Sequence, residues 1–154
     1  MTNIFIFCYG SLMRQQGNSR YCRNAVNIEP ATVCGRIYQL PPGYPALVVP
    51  PENIIARGTD SPTLDAKTQF EHNRTKPKYH IQTGWREVHG EMVVFNNPDR
   101  DVPPIDCLES HPRYYERVLL PIRQANGIIV AAWVYIMYRI PTGSISLKSG
   151  RWPE

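Results

Sequence analysis

The 154 residues hold little that would mark an exported or membrane-spanning chain. No apolar run approaches the roughly 20 residues that a helix needs to cross a bilayer. No basic segment precedes the short apolar stretch after Thr2-Asn3, so no signal peptide is expected. Cysteine is sparse and dispersed, at Cys8, Cys22, Cys34 and Cys107, with no C-x-x-C pair. Without an export signal the expectation is reduced thiols and a cytoplasmic location, and the Asn73-Arg74-Thr75 sequon then carries no message. Neither G-x-x-x-x-G-K-[ST] nor G-x-G-x-x-G occurs, which removes the common phosphate loops. G-x-S-x-G is absent too, which removes the hydrolase elbow. Charge imbalance is small: 17 Lys and Arg against 13 Asp and Glu, a net +4. The cations are scattered, with Arg74, Lys76 and Lys78 the densest group. A nucleic-acid binder would show a basic stripe with interleaved aromatics. Neither nucleic acid nor a membrane is expected as a partner. There is no internal repeat or low-complexity tract, and the length suits one domain over residues 1–154.

What is present is turn-rich and strand-rich. Fifteen prolines and ten glycines argue against a helical bundle. Residues 3–9 read as a central strand covered on both faces, because their apolar run is almost unbroken. Residues 11–25 read as a loop leading into a short helix. "ATVCGRIYQL", residues 31–40, reads as a strand broken at Gly35, where a barrel would bend. A short strand is expected over Ala46–Val49. Residues 51–83 look least ordered and are expected as an insertion or flap, with some helix over 63–73. "WREVHGEMVVF" returns to strand. A helix should follow, capped by Asp99 or Asp101 with Pro103-Pro104 in its first turn. Residues 114–123 and 128–139 form a hairpin around Asn126-Gly127. The sum is six or seven strands with one or two short helices: an α+β chain built on a small, mostly antiparallel barrel.

Several residue groups could carry chemistry. The turn Tyr9-Gly10-Ser11 closes the first strand, either as a simple turn or as a set of bare N–H groups able to hold an anion or polarised carbonyl. Glu109 lies late in the expected helix beside Ile105 and Leu108. A solvated residue at a helix end would have no special property. A partly inward carboxyl would be desolvated, with a raised pKa and a use as a proton carrier. Cys107 and His111 have the i, i+4 spacing of a dyad, but Pro112 ends the helix there, and a small core role suits Cys107 better. Glu87, His89 and Glu91 share a strand face, which fits a solvated face better than a metal site.

Five stretches occur in one order: "FCYGSLM", "GRIYQLPPGYPALV", "VHGEMVVF", "DCLESHPRYYERV", and "AAWVYI" followed by "SGRW". Together they resemble gamma-glutamylcyclotransferase-like proteins, the group that includes the AIG2-like and gamma-glutamylamine cyclotransferase branches. The resemblance covers nearly the whole chain except residues 51–83. It implies a small barrel flanked by short helices. It implies that Tyr9, Gly10, Ser11 and Leu12 hold the glutamyl part of a small-molecule substrate through backbone amides. It implies that Glu109, in Asp106-x-x-Glu109, is the catalytic residue, with Tyr115 also at the substrate. Many relatives carry glycine after this Glu, where this chain has Ser110. The implied reaction cyclises a gamma-glutamyl group to 5-oxoproline and needs no metal, nucleotide or other cofactor. The alternative is a non-catalytic ligand- or protein-binding module on the same barrel. The leaving amine and the oligomeric state stay open, a homodimer among the options.

Overall fold

The computed structural model describes residues 2–154. Among these the strands are β1 Ile4–Cys8, β2 Asn27–Gln39, β3 Pro45–Val48, β4 Ala56–Arg57, β5 Arg86–Phe95, β6 Glu116–Gln124, β7 Ile129–Ile136 and β8 Ile145–Ser146. The helices are α1, Pro62–Arg74, and α2, Pro98–Leu108, with 3-10 turns at Ser19–Cys22 and Pro51–Asn53.

Five strands close into a barrel in the order β2-β5-β1-β7-β6. Closure comes from Ala31, Thr32 and Val33 of β2 pairing with Gln124, Arg123 and Ile122 of β6. The strand pairs are antiparallel except β1 with β7. Alternate residues of every barrel strand point inward, including Phe7, Val33, Met92, Leu120 and Val134. The opposite faces of β1 and β7, with Ile4, Ile6 and Trp133, pack under Ala66 of α1 and Val102 and Ile105 of α2. This double cover explains the unbroken apolar runs in both strands.

β2 does not break at Gly35; it is one long strand that changes partner there. Gly35 is the last residue paired with β5, and from Arg36 onward β2 pairs with β3. A Cβ at Gly35 would lie 2.7 Å from Leu47 Cδ1 and 2.8 Å from the Val48 carbonyl oxygen. The close crossing therefore requires glycine.

The stretch that looks least ordered in sequence holds the longer helix. Ser61 caps α1 by accepting from the Leu64 amide, and Pro62 occupies its first turn. Its inward face is polar. The Gln69 side chain accepts from the Phe5 amide at 2.7 Å and donates to the Asn3 carbonyl at 3.3 Å. Asn73 accepts from the Ala131 amide at 2.7 Å and donates to the Ala131 carbonyl at 3.2 Å. Two amide side chains thus serve as missing strand partners at the start of β1 and of β7.

α2 differs from its expected start. Asn97, rather than Asp99 or Asp101, caps it by accepting from the Arg100 amide. Pro98 takes the first turn, and Pro103-Pro104 lie within the helix on an exposed side. Asp101 is buried and bound by Arg100 and Asn24. Cys107 is exposed, not a core residue.

Candidate active site

β1 ends where its next residues can no longer pair. Tyr9 is buried, and its hydroxyl donates to the Tyr135 carbonyl at 2.6 Å. The chain then turns, with the Met13 amide donating to the Gly10 carbonyl at 3.0 Å. Asn18 closes the turn from outside: its amide donates to the Ser11 carbonyl and its side chain to Ser11 Oγ, each at 2.9 Å. Among the described residues, no acceptor takes the N–H groups of Gly10, Ser11 or Leu12. A Cβ at Gly10 would lie 2.6 Å from Pro45 Cγ, so the approach of β3 dictates a glycine.

Glu109 arrives from α2 as its C-cap. The helix stops through a two-bond cap: the His111 amide donates to the Asp106 carbonyl at 2.9 Å, and the Ser110 amide to the Cys107 carbonyl at 3.2 Å. Such a cap needs a left-handed residue after Glu109, and Ser110 has φ +51°. That is the physical reason glycine suits this position, and Ser110 meets the requirement at some conformational cost. The chain reverses immediately after Glu109 and fixes where its carboxyl points.

The two segments meet in one cavity of about 570 Å³. Its walls include Cys8, Tyr9, Gly10, Ser11 and Leu12 on one side and Leu108, Glu109, Ser110 and Tyr115 on the other, with Tyr135 and Pro45 completing it. Tyr44 and Tyr114 also line it and are about half exposed. Burial pushes the Glu109 carboxyl up from 4.5 to about 7, and among the described residues it has no hydrogen bond or ion pair to hold its charge. Tyr115 is buried and donates to the Pro45 carbonyl at 2.8 Å. Burial, reinforced by the nearby Glu109 charge, raises its phenol above the ordinary range. The cavity therefore brings together Tyr9, Gly10, Ser11, Leu12, Glu109 and Tyr115.

The other candidates separate. His111 spends its Nδ1 accepting from the Arg117 amide at 2.9 Å, and with Cys107 exposed no Cys–His dyad forms. Glu91 pairs with Arg14 at 2.6 Å and Glu87 with Arg123 at 3.4 Å. Among the described residues no cluster suited to a metal occurs.

A second polar group beneath the site escaped sequence reasoning. Arg117 is fully buried in β6. It donates to Asp106 through Nε and Nη2 at 2.9 and 3.0 Å, to Asp65 Oδ2 at 2.8 Å and to the Thr59 carbonyl at 3.0 Å. Tyr135 donates to Asp106 Oδ1 at 2.6 Å. One guanidinium thus ties α1, α2 and β6 together. The available signal was an arginine next to the apolar run Val118-Leu119-Leu120, since a buried charge must be paired.

The family model described as gamma-glutamyl cyclotransferase, AIG2-like, matches residues 6–68 and 61–154. No curated protein sequence matches significantly. Similar solved structures include YkqA from Bacillus subtilis, with 17% identity and a TM-score of 0.57. The match covers 97% of this chain but 39% of YkqA, so the chain spans well under half of that protein. An AIG2-like protein from Mus musculus has 17% identity and a TM-score of 0.50, over 92% of this chain and 82% of that one. The uropathogenic E. coli-specific protein c4763 has 15% identity and a TM-score of 0.55, over 99% and 94%. At such identities these likenesses speak to the fold.

Proposed function

The chain belongs to the gamma-glutamyl cyclotransferase, AIG2-like family, and on that premise we propose that it converts a gamma-glutamyl amine or peptide to 5-oxoproline and a free amine. The observation that carries this reading is the unpaired Glu109 carboxyl in the same cavity as the free amides of Gly10, Ser11 and Leu12.

The reaction asks for little. The substrate's own α-amine attacks its side-chain carbonyl; a C–N bond forms to close a five-membered ring, and the C–N bond to the leaving amine breaks. The nucleophile is already tethered, so the protein mainly holds a near-attack conformer. The ammonium must first lose a proton, and the leaving amine must gain one. Glu109 can do both in turn, leaving its own protonation unchanged over the cycle. An α-ammonium titrates near roughly 8. A carboxylate near 7 accepts that proton uphill by about one pH unit, or about 1.4 kcal/mol. An ordinary glutamate would face about 5 kcal/mol. The amides of Gly10, Ser11 and Leu12 supply donors for the oxyanion that develops at the attacked carbonyl.

The test is incubation with a panel of gamma-glutamyl compounds and an assay for 5-oxoproline. Turnover is expected for at least one compound. Glu109→Gln is expected to lower it by roughly 10²–10⁴-fold with the fold retained. Undiminished turnover in that variant would remove Glu109 from the mechanism. Stable complexes without product would favour a ligand-binding domain instead.

A further inference from the structure

The polar groups lining the cavity divide by what they can offer a ligand. The amides of Gly10, Ser11 and Leu12 can only donate. A phenol has a single proton to give, and each buried tyrosine in the wall has already committed it. Tyr9 gives its proton to the Tyr135 carbonyl at 2.6 Å and Tyr115 to the Pro45 carbonyl at 2.8 Å. Tyr135 gives its proton to Asp106 Oδ1 at 2.6 Å. Any further hydrogen bond that these hydroxyls make is one that they accept.

Tyr135 differs from the other two because its acceptor is charged. Both Asp106 oxygens accept from Arg117, which leaves this side chain as the acceptor of the Tyr135 bond. Arg117 is fixed in turn by Asp65 and the Thr59 carbonyl. A hydrogen bond donated to a carboxylate shifts electron density onto the phenol oxygen and makes it a better acceptor for a cation. Asp106 and Glu109 lie one turn apart at the end of α2, so the phenol oxygen and the free carboxyl are set by the same helix end.

We propose that Tyr135, its proton pinned by the Asp106–Arg117 pair, accepts a hydrogen bond from the substrate's α-ammonium group beside Glu109. Asp106 is then a positioning residue acting through Tyr135. This rests on the cyclotransferase reading and adds a specificity element to it. The substrate lies with its carbonyl at the amide wall and its ammonium between Glu109 and Tyr135. Compounds with the same side chain but no α-amine, the glutaryl analogues, lose the bond to Tyr135.

The test uses the full chain, the gamma-glutamyl compound it turns over best, and the glutaryl counterpart as a competitive inhibitor. Tyr135→Phe keeps the ring and the main-chain acceptor for Tyr9. It is expected to raise KM for the gamma-glutamyl compound roughly tenfold or more, as loss of a bond to a charged group would. The inhibition constant of the glutaryl analogue should change less than about twofold, so that preference for the amine falls about as far as KM rises. Asp106→Ala is the second variant. It removes the acceptor and frees the phenol proton to face the cavity, so the same preference should fall. Equal weakening of both compounds in Tyr135→Phe, or an unchanged preference in both variants, overturns the proposal while leaving the reaction intact. Absence of wild-type turnover on every gamma-glutamyl compound overturns the underlying reading and this proposal with it.

Discussion

Asp106 and Glu109 stand one turn apart at the end of α2, yet their surroundings are opposite. Asp106 accepts from Arg117 twice and from Tyr135 once. Glu109 has no such partner, and burial alone pushes it up to about 7. A saturated carboxylate is committed to architecture, because any change in its charge breaks bonds on three elements. An unsatisfied one is free to exchange a proton with a ligand. Four residues therefore hold both a structural acid and a candidate chemical one, and only their partners distinguish them.

The contrast can be broken from the structural side first. Arg117→Met removes the cation that holds the buried Asp65 and the partly buried Asp106, leaving both carboxylates without a counter-charge. A loss of about 3–5 kcal/mol in unfolding free energy is expected, measured by urea denaturation. A loss below 1 kcal/mol would mean that water or rearrangement satisfies both acids.

The next effect is smaller and depends on pH. The folded-state pKa of Glu109 is raised above the ordinary value, so the native protein holds this proton more tightly than the unfolded chain. Below about 4.5 both states are protonated and the contribution to stability is fully present. As pH rises toward about 7 the unfolded chain ionises first, and that stability is lost. Glu109→Gln cannot ionise. Its stability relative to wild type should rise across this window by about 1–3 kcal/mol, the upper value applying if cavity solvent screens little. A gap that stays flat with pH would show that Glu109 is well solvated or paired.

The smallest effect sharpens the geometry of the helix end. Ser110→Gly relieves a left-handed serine and should stabilise the fold by up to about 1 kcal/mol, read from the thermal midpoint at constant pH. Destabilisation would show that the serine side chain makes a contact worth more than the strain.

Much of this was legible in sequence, and the exceptions share a cause. The barrel strands announced themselves through apolar patterning, and the hairpin through Asn126-Gly127. The two segments that meet in the cavity were visible as a strand-end glycine turn and a late-helix carboxyl. The helix expected over 63–73 is there as α1, but its surroundings looked least ordered because it docks through Asp65, Gln69 and Asn73 and leaves Leu64 and Phe70 exposed. Tyr135 was hidden inside an apolar strand, where a tyrosine reads as core; its bond to Asp106 exists only in three dimensions. Gly35 was visible as a bend but not as a change of partner, because only the fold brings Leu47 to 2.7 Å of that position. Periodicity reports burial of apolar surface, and it is silent on polar side chains that find partners across the chain.

The most direct measurement is the pH dependence of kcat/KM for 5-oxoproline release, taken for wild type and Glu109→Gln together. The free carboxyl predicts a limb with a midpoint near 7 in the wild type that is missing in the variant, where only the titration of the substrate amine near roughly 8 is left. A wild-type profile with no limb near 7, or a limb near 7 that persists in the variant, would contradict the assignment of proton transfer to this residue.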